Sequence, residues 1–219
     1  MYGGEDGIAK HLGFKAARFT RLNDPRLNAA HGEGIGLSFA TDRPIENSYD
    51  IDLGNRQGLG VVLGIGAYGL QIANVYLDDL SEDIRTKQIA ALLFGLEKGL
   101  PTIITGDMNV LRQDMAGASV LTKMKDRGVR ALAKTLPKKT EIGITIAEMN
   151  KRVAMKQILD AGYIDADSKL KRPTAPAVLP IFGIDYALHT GDVSIEEFDV
   201  IRIKGESDHR PIKFKATVE

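Results

Sequence analysis

Three short stretches carry polar groups where strands are expected to end. Gly106-Asp107-Met108-Asn109 follows the apolar β-formers of "TIIT" (102–105). A carboxylate and an amide two residues apart at a strand end could belong to an active site. Asp and Asn after a strand also bond their own backbone and make turns, and alone this stretch reads as a turn. "GESDHRPI" (205–212) sets Ser207, Asp208 and His209 before a strand whose start is marked by Pro211. A carboxylate beside an imidazole offers a metal ligand and a titratable donor in one place; a polar loop between hairpin strands accounts for it equally simply. "GIDYALHT" (183–190) places Asp185 inside an apolar, β-rich run. A buried carboxylate is costly unless hydrogen-bonded or paired. Ile184, Tyr186 and Leu188 suggest a strand with Asp185 on the opposite face, which favours a functional role over a solvent-facing strand start.

These stretches need a scaffold, and hydrophobic periodicity outlines one. "GIGLSFATDRPI" reads as a strand, Ile35–Phe39, closed by a turn at Pro44, and "YDIDL" (49–53) as a short alternating strand. "GVVLGIGAYGLQIANVYL" (60–77) predicts a hairpin turning near Ala67–Gly69; the uncharged run Gln57–Leu77 is long enough for a lipid span, but its glycines favour buried strands. "SEDIRTKQIAALLFGLEKG" (81–99) is the clearest helix, with Ser81 as N-cap, Glu82 and Asp83 in the first turn and Gly99 as C-cap. A weaker helical pattern covers 114–135, and a second strong helix covers 146–162, ending on Gly162. Strands follow at 184–190, 197–203 and 210–218. Strands at both ends with helices between predict an α/β sandwich of mixed or antiparallel sheets, not repeating βαβ units.

Composition narrows the functional classes. The 219 residues hold Lys and Arg in the same number, 29, as Asp and Glu, so charge alone does not coat nucleic acid, though a local basic groove is permitted. Between Thr122 and Thr140 seven basic residues and one acid leave a local charge of +6, best read as a solvated helix face because no aromatics interleave for base stacking. The absence of cysteine removes disulfides, thiol nucleophiles and Cys-type zinc sites. The start of the chain lacks the layout of a signal peptide, which gives a cytoplasmic expectation.

Taken in order, Gly-Asp-x-Asn, then Ile-Asp-Tyr roughly 75 residues on, then Ser-Asp-His-x-Pro, the chain resembles the endonuclease/exonuclease/phosphatase superfamily of metal-dependent phosphoesterases. "GIGLSFATDRPI", "NVYLDD…EDIRTKQIAALL" and the Pro-Thr-x-Pro loop in "RPTAP" (172–176) extend the resemblance from about Leu12 to the C-terminus. It implies a single domain over 1–219, N-terminally short, built as a four-layer α/β sandwich of two packed mixed sheets flanked by helices. It also implies hydrolysis of a phosphodiester or phosphomonoester by in-line attack of water, nucleic acid being one candidate substrate. By resemblance Asp107 would orient the water or take its proton, and Asn109 would hold the phosphate or that water. His209 would donate to a phosphoryl oxygen, and Asp185 would orient its neighbours. Asp208 would lie in the metal shell, and Arg43 stands at the family's Arg position. Arg43 and Arg56 could meet phosphate, though both sit in expected turns, where Arg is usually just solvated. Hard oxygen ligands imply Mg²⁺, with Mn²⁺ as the alternative.

Two departures bear on activity. Where many members carry a His, this chain has Asn74-Val75-Tyr76-Leu77. Tyr76 is similar to the phosphate-contacting phenol of the AP-endonuclease branch; a plain strand aromatic explains it as well. Members also open with strands ending in Asn and in Gln-Glu, that Glu being the principal metal ligand. Here Glu5 is the nearest candidate for the ligand role, with Asp6 beside it, and the first strands are expected to be absent. A face left bare in this way would be covered by a homodimer, a partner or a rearranged N-terminal segment. The opposing functional reading is a catalytically impaired relative that binds a phosphorylated ligand or a protein.

Overall fold

The expected hairpin forms the centre of the molecule: β4 (Gln57–Ile65) and β5 (Tyr68–Tyr76) pair antiparallel, with Gly66 in the left-handed region at φ 62° where the chain turns. This is the run that was long enough for a lipid span. Among the described residues no helix is long and apolar enough to cross a membrane. The computed structural model describes residues 4–31, 35–66, 68–112, 148–169, 172–177, 180, 182–203 and 207–219. The helical pattern at 114–135 and the whole of the basic run lie outside them.

β3 (Ile45–Asp52) adds to β4 as an edge strand. It begins earlier than the expected 49–53, because Glu46 and Asn47 are exposed at the edge and interrupt the alternation. On the other side β6 (Thr102–Asp107) runs parallel to β5, β8 (Asp185–His189) pairs antiparallel with β6, and the two-residue β7 (Ile164–Asp165) closes the order β3-β4-β5-β6-β8-β7.

The two faces of this sheet carry different cores. One packs Ala73, Val75, Ile104 and Leu188 against α3 (Glu82–Gly95) and α4 (Val153–Asp160), which contribute Ile89, Leu92, Met155 and Ile158. The other packs Leu59, Val61 and Leu63 against β2 (Gly36–Thr41), and Leu70 and Ile103 against β9 (Val193–Val200) and β10 (Ile212–Val218). β2 pairs with β1 (Ala16–Arg21), and α1 (Gly4–Leu12) rests on that ribbon, while α2 (Pro25–His31) links β1 to β2. The layers are therefore α1, two ribbons, the six-stranded sheet, and α3 with α4. The α/β sandwich holds, with one correction: among the described residues the second sheet is two separate two-stranded ribbons.

Helix ends also depart from expectation. Ser81 caps α3, its side chain accepting from the Ile84 N–H at 3.4 Å. The helix stops at Gly95, not Gly99, because Leu96 turns extended and the Glu97 N–H donates to Gln71 Oε1 at 2.8 Å. The helix expected over 146–162 is broken at Arg152, which sits at φ 61°. Beyond the break the Ala154 N–H donates to Glu82 Oε1 at 2.8 Å, so a carboxylate from α3 caps α4.

Candidate active site

Strand register builds the site. Tyr76 pairs with Asp107 and Asp107 with Asp185, so three polar side chains stand in one row across β5, β6 and β8. The preceding row, Val75, Gly106 and Tyr186, lies on the helix side, and alternation turns the polar row toward the ribbons. Gly106 makes the bend before Asp107. Its φ is 131°, and a Cβ there would lie 2.0 Å from the Val75 carbonyl oxygen. Only glycine fits such a conformation at such an approach.

The turn expected of Gly-Asp-x-Asn is present. Asp107 Oδ1 accepts from the Asn109 N–H at 2.8 Å, an Asx turn, with Asn109 at φ 49°. Asn109 is buried, and its side-chain amide donates to the Leu77 carbonyl at 2.9 Å, tying the turn to the end of β5. The second carboxylate oxygen of Asp107 remains directed at His209, 4.0 Å from Nδ1.

His209 arrives on the segment leading into β10. The Pro-Thr-x-Pro loop anchors that segment, since the Thr174 carbonyl accepts from the Arg210 N–H at 2.8 Å. The Thr174 hydroxyl also accepts from the Asp185 N–H at 3.4 Å, so one loop registers both halves of the pair. His209 Nδ1 lies 3.0 and 3.2 Å from the two oxygens of Asp185. The hydrogen bond to Asp185, joined by the charges of Asp185, Asp107 and Asp208, outweighs burial and pushes the imidazole up to about 9. It is therefore a cation near neutral pH: Nδ1–H donates to Asp185, and Nε2–H is left for another acceptor. Burial first, and Asp185 second, push the Asp107 carboxyl up to about 7, against the pull of His209. Burial and the Asp107 charge push the Tyr76 phenol up to about 12, so Tyr76 is a neutral donor.

No known protein-family model matches the chain, and no curated protein matches it either. Solved structures do. A 3′ phosphatase from Neisseria bound to a product DNA hairpin is 14% identical, covering 97% of this chain and 82% of that one at a TM-score of 0.60. The endonuclease/exonuclease/phosphatase from Bacteroides vulgatus is 14% identical, covering 98% and 80% at 0.60. The catalytic domain of human nocturnin is 17% identical, covering 96% and 75% at 0.54. The fold is that of the endonuclease/exonuclease/phosphatase proteins.

Within this endonuclease/exonuclease/phosphatase fold, the expected site residues separate into two groups. Asp107, Asp185 and His209 converge, their ligand atoms all within 4.8 Å of one another. Tyr76 and Asn109 adjoin them through register and turn. Asp208 is exposed, its charge is felt at both Tyr76 and His209, and its backbone carbonyl accepts from the Ala177 N–H. Carboxylate oxygens from Asp107, Asp185 and Asp208 are hard donors that suit Mg²⁺ or Mn²⁺, whereas His209 Nδ1 is already committed to Asp185.

Three expectations are corrected. Glu5 does not join the cluster: its carboxylate accepts from the Phe19 N–H at 3.0 Å and from Arg18 at 3.4 Å, which binds α1 to β1. Arg43 lies in the β2–β3 turn, beside the start of β3, whose Ile45 pairs with Leu63. That is the opposite end of the strands from Tyr76, on the order of 20 Å away along β5. Arg56 is neither solvated nor open to phosphate. It is 0% exposed and donates to Asp24 at 2.9 Å, to Asp79 at 2.9 Å and to the Leu77 carbonyl, and it stacks 4.3 Å from the centre of the Tyr76 ring.

Sequence reasoning missed this buried network and its other members. Arg26 bridges Asp24, Asp78 and Asp79, at 2.6 Å to Asp78. Burial alone would raise the Asp24 carboxyl, but hydrogen bonds from Arg26 and Arg56 hold it below the usual range. The one available signal was the doublet Asp78-Asp79 directly after Leu77, at the end of a strand.

Proposed function

We propose that this protein hydrolyses phosphate esters by in-line attack of water. The observation that carries this reading is the pairing of Asp185 with His209 at 3.0 Å beside Asp107: a protonated imidazole and a carboxylate with a raised affinity for protons face one space. Asp107 orients the attacking water and accepts its proton as the new P–O bond forms and the ester P–O bond breaks. Its Asx turn fixes one carboxylate oxygen and leaves the other for this task. His209 donates from Nε2 to a phosphoryl oxygen, where charge develops, and Asp185 holds the ring in place and sustains its charge. Tyr76 is a neutral phenol suited to donate a hydrogen bond to the same group. Asn109 and Arg56 both bond the Leu77 carbonyl and so position Asp107 and Tyr76 without reaching the substrate.

A hard divalent cation, held by Asp208 with oxygens of Asp107 or Asp185, would offset charge on the phosphoryl and leaving oxygens. Proteins of this fold include the Neisseria 3′ phosphatase, and a phosphate ester on a sugar or nucleotide is the substrate class in keeping with that likeness. The opposing reading, a binding module without turnover, is favoured by one observation: Glu5 is spent on Arg18 and Phe19.

Hydrolysis of a chromogenic phosphodiester and phosphomonoester, with Mg²⁺ and with chelator, separates the two. Asp107→Asn and His209→Ala should each lower kcat by about 10²–10⁴-fold, and chelation should abolish turnover. Equal rates for the unaltered protein and both variants would defeat the hydrolase reading.

A further inference from the structure

We propose that Arg210 binds the phosphoryl group and selects substrates that end in a phosphomonoester. This rests on the phosphoesterase reading and names the substrate class of the same site. An open cleft adjoins His209, lined by Thr105, Asp185, Ser207, His209, Arg210 and Ile212, with Gly106 and Pro211 completing the wall. Among these described residues Arg210 is the only one with a permanent positive charge. The cleft encloses about 190 Å³, below the roughly 300–1,000 Å³ of sites that enclose a whole small ligand, so it suits the phosphoryl end.

The guanidinium is held in place for such a role. The Arg210 N–H donates to the Thr174 carbonyl at 2.8 Å, and Nε donates to the Ala177 carbonyl at 2.8 Å. Both anchors belong to the loop that also registers Asp185. The two terminal Nη nitrogens have no acceptor among the described residues. A side chain fixed by its backbone and Nε, with its outer edge unspent, is a fork already ordered for two oxygens.

Charge gives the selectivity. Asp107, Asp185 and Asp208 surround the site and would spend a bound cation's charge on themselves, so an entering dianionic phosphoryl group gains from a permanent positive charge besides His209. A phosphomonoester carries about −1.5 to −2 near neutral pH and three unesterified oxygens. A phosphodiester carries one charge and has an ester group where the fork would find an oxygen.

Calorimetric titration of inorganic phosphate into the full chain tests the binding directly. Arg210→Gln should weaken phosphate binding by roughly 10- to 100-fold, and Arg210→Lys, which keeps the charge, by less than about 10-fold. No measurable phosphate binding by the unaltered protein would overturn the proposal, as would binding by Arg210→Gln within about twofold of it. Loss in both variants together with a lowered melting temperature would make Arg210 a brace for the loop and also overturn it. In parallel, kcat/KM for p-nitrophenyl phosphate relative to bis(p-nitrophenyl) phosphate should fall by about 10-fold or more in Arg210→Gln; an unchanged ratio counts against selection. Hydrolysis of neither compound by the unaltered protein would defeat the phosphoesterase reading, while the phosphate titration would still decide the role of Arg210.

Discussion

His209 gains its charge from its neighbours, and that can be measured on the metal-free protein. Its imidazole should titrate near 9 by NMR, as the hydrogen bond to Asp185 and the surrounding carboxylates require. Asp185→Asn removes the leading cause and should bring the midpoint back toward the ordinary histidine value of 6.5; an unchanged midpoint would mean that the 3.0 Å contact is not the source. The sign for stability follows. A folded-state affinity for protons above the unfolded one stabilises the fold fully below pH 6.5, and this contribution is lost as pH rises through about 9. Gly106 acts at the same scale through sterics. Gly106→Ala would set a Cβ against the Val75 carbonyl at a φ of 131° and should cost about 2–5 kcal/mol of unfolding free energy by denaturant titration. A cost under about 0.5 kcal/mol, the range of ordinary surface changes, would show that the bend relaxes freely.

Elements hold these residues through Arg56. Its guanidinium joins the α2 approach at Asp24, the loop at Asp79 and the end of β5, and it lies fully buried. Arg56→Ala leaves the buried Asp24 with Arg26 alone and takes a donor from the Leu77 carbonyl, and it should cost about 3–5 kcal/mol in chemical denaturation. Arg56→Lys, lacking the planar fork, should recover only part of that. None of this was legible in the sequence, because the partners lie 32 and 23 residues away and only folding brings them together. The hairpin and α3 were legible because their signals are local: an apolar run broken by glycines along β4 and β5, and a Ser81 cap with acids behind it. Gly99 misled because a distant side chain, Gln71, claims the Glu97 N–H and ends the helix early. At the site the order of motifs located Asp107, Asp185 and His209. The locations of Arg43, Glu5 and Arg210 depend on topology and loop anchoring, which no local pattern encodes.

Across the whole molecule the six-stranded sheet is buried on both faces, and this decides which changes it tolerates. Ile104, fully buried between β5 and β8, should cost about 2–5 kcal/mol on replacement by Ala, whereas Phe94, 87% exposed on α3, should tolerate Ser within about 0.5 kcal/mol. Thermal melts of the two variants compare these directly. The class of architecture was readable because strands gathered at both ends of the chain. That the outer strands form two ribbons was not, since pairing partners are chosen in three dimensions. The row Asp107–Asp185 has a consequence for how far such a chain could be stabilised. Two carboxylates stand opposite each other on neighbouring strands, where like charges repel, and burial first, with this repulsion second, lets the Asp107 carboxyl hold its proton up to about pH 7. Above that pH the fold bears the repulsion. Asn in place of Asp107 keeps the oxygen that receives the Asn109 N–H and sheds the charge. At pH 8 and without metal, Asp107→Asn should therefore melt higher than the unaltered protein, while with Mg²⁺ it should show the lowered kcat given above. If Asp107 serves the proposed hydrolysis, its acid sets activity against robustness, and selection for thermal robustness alone would favour its loss.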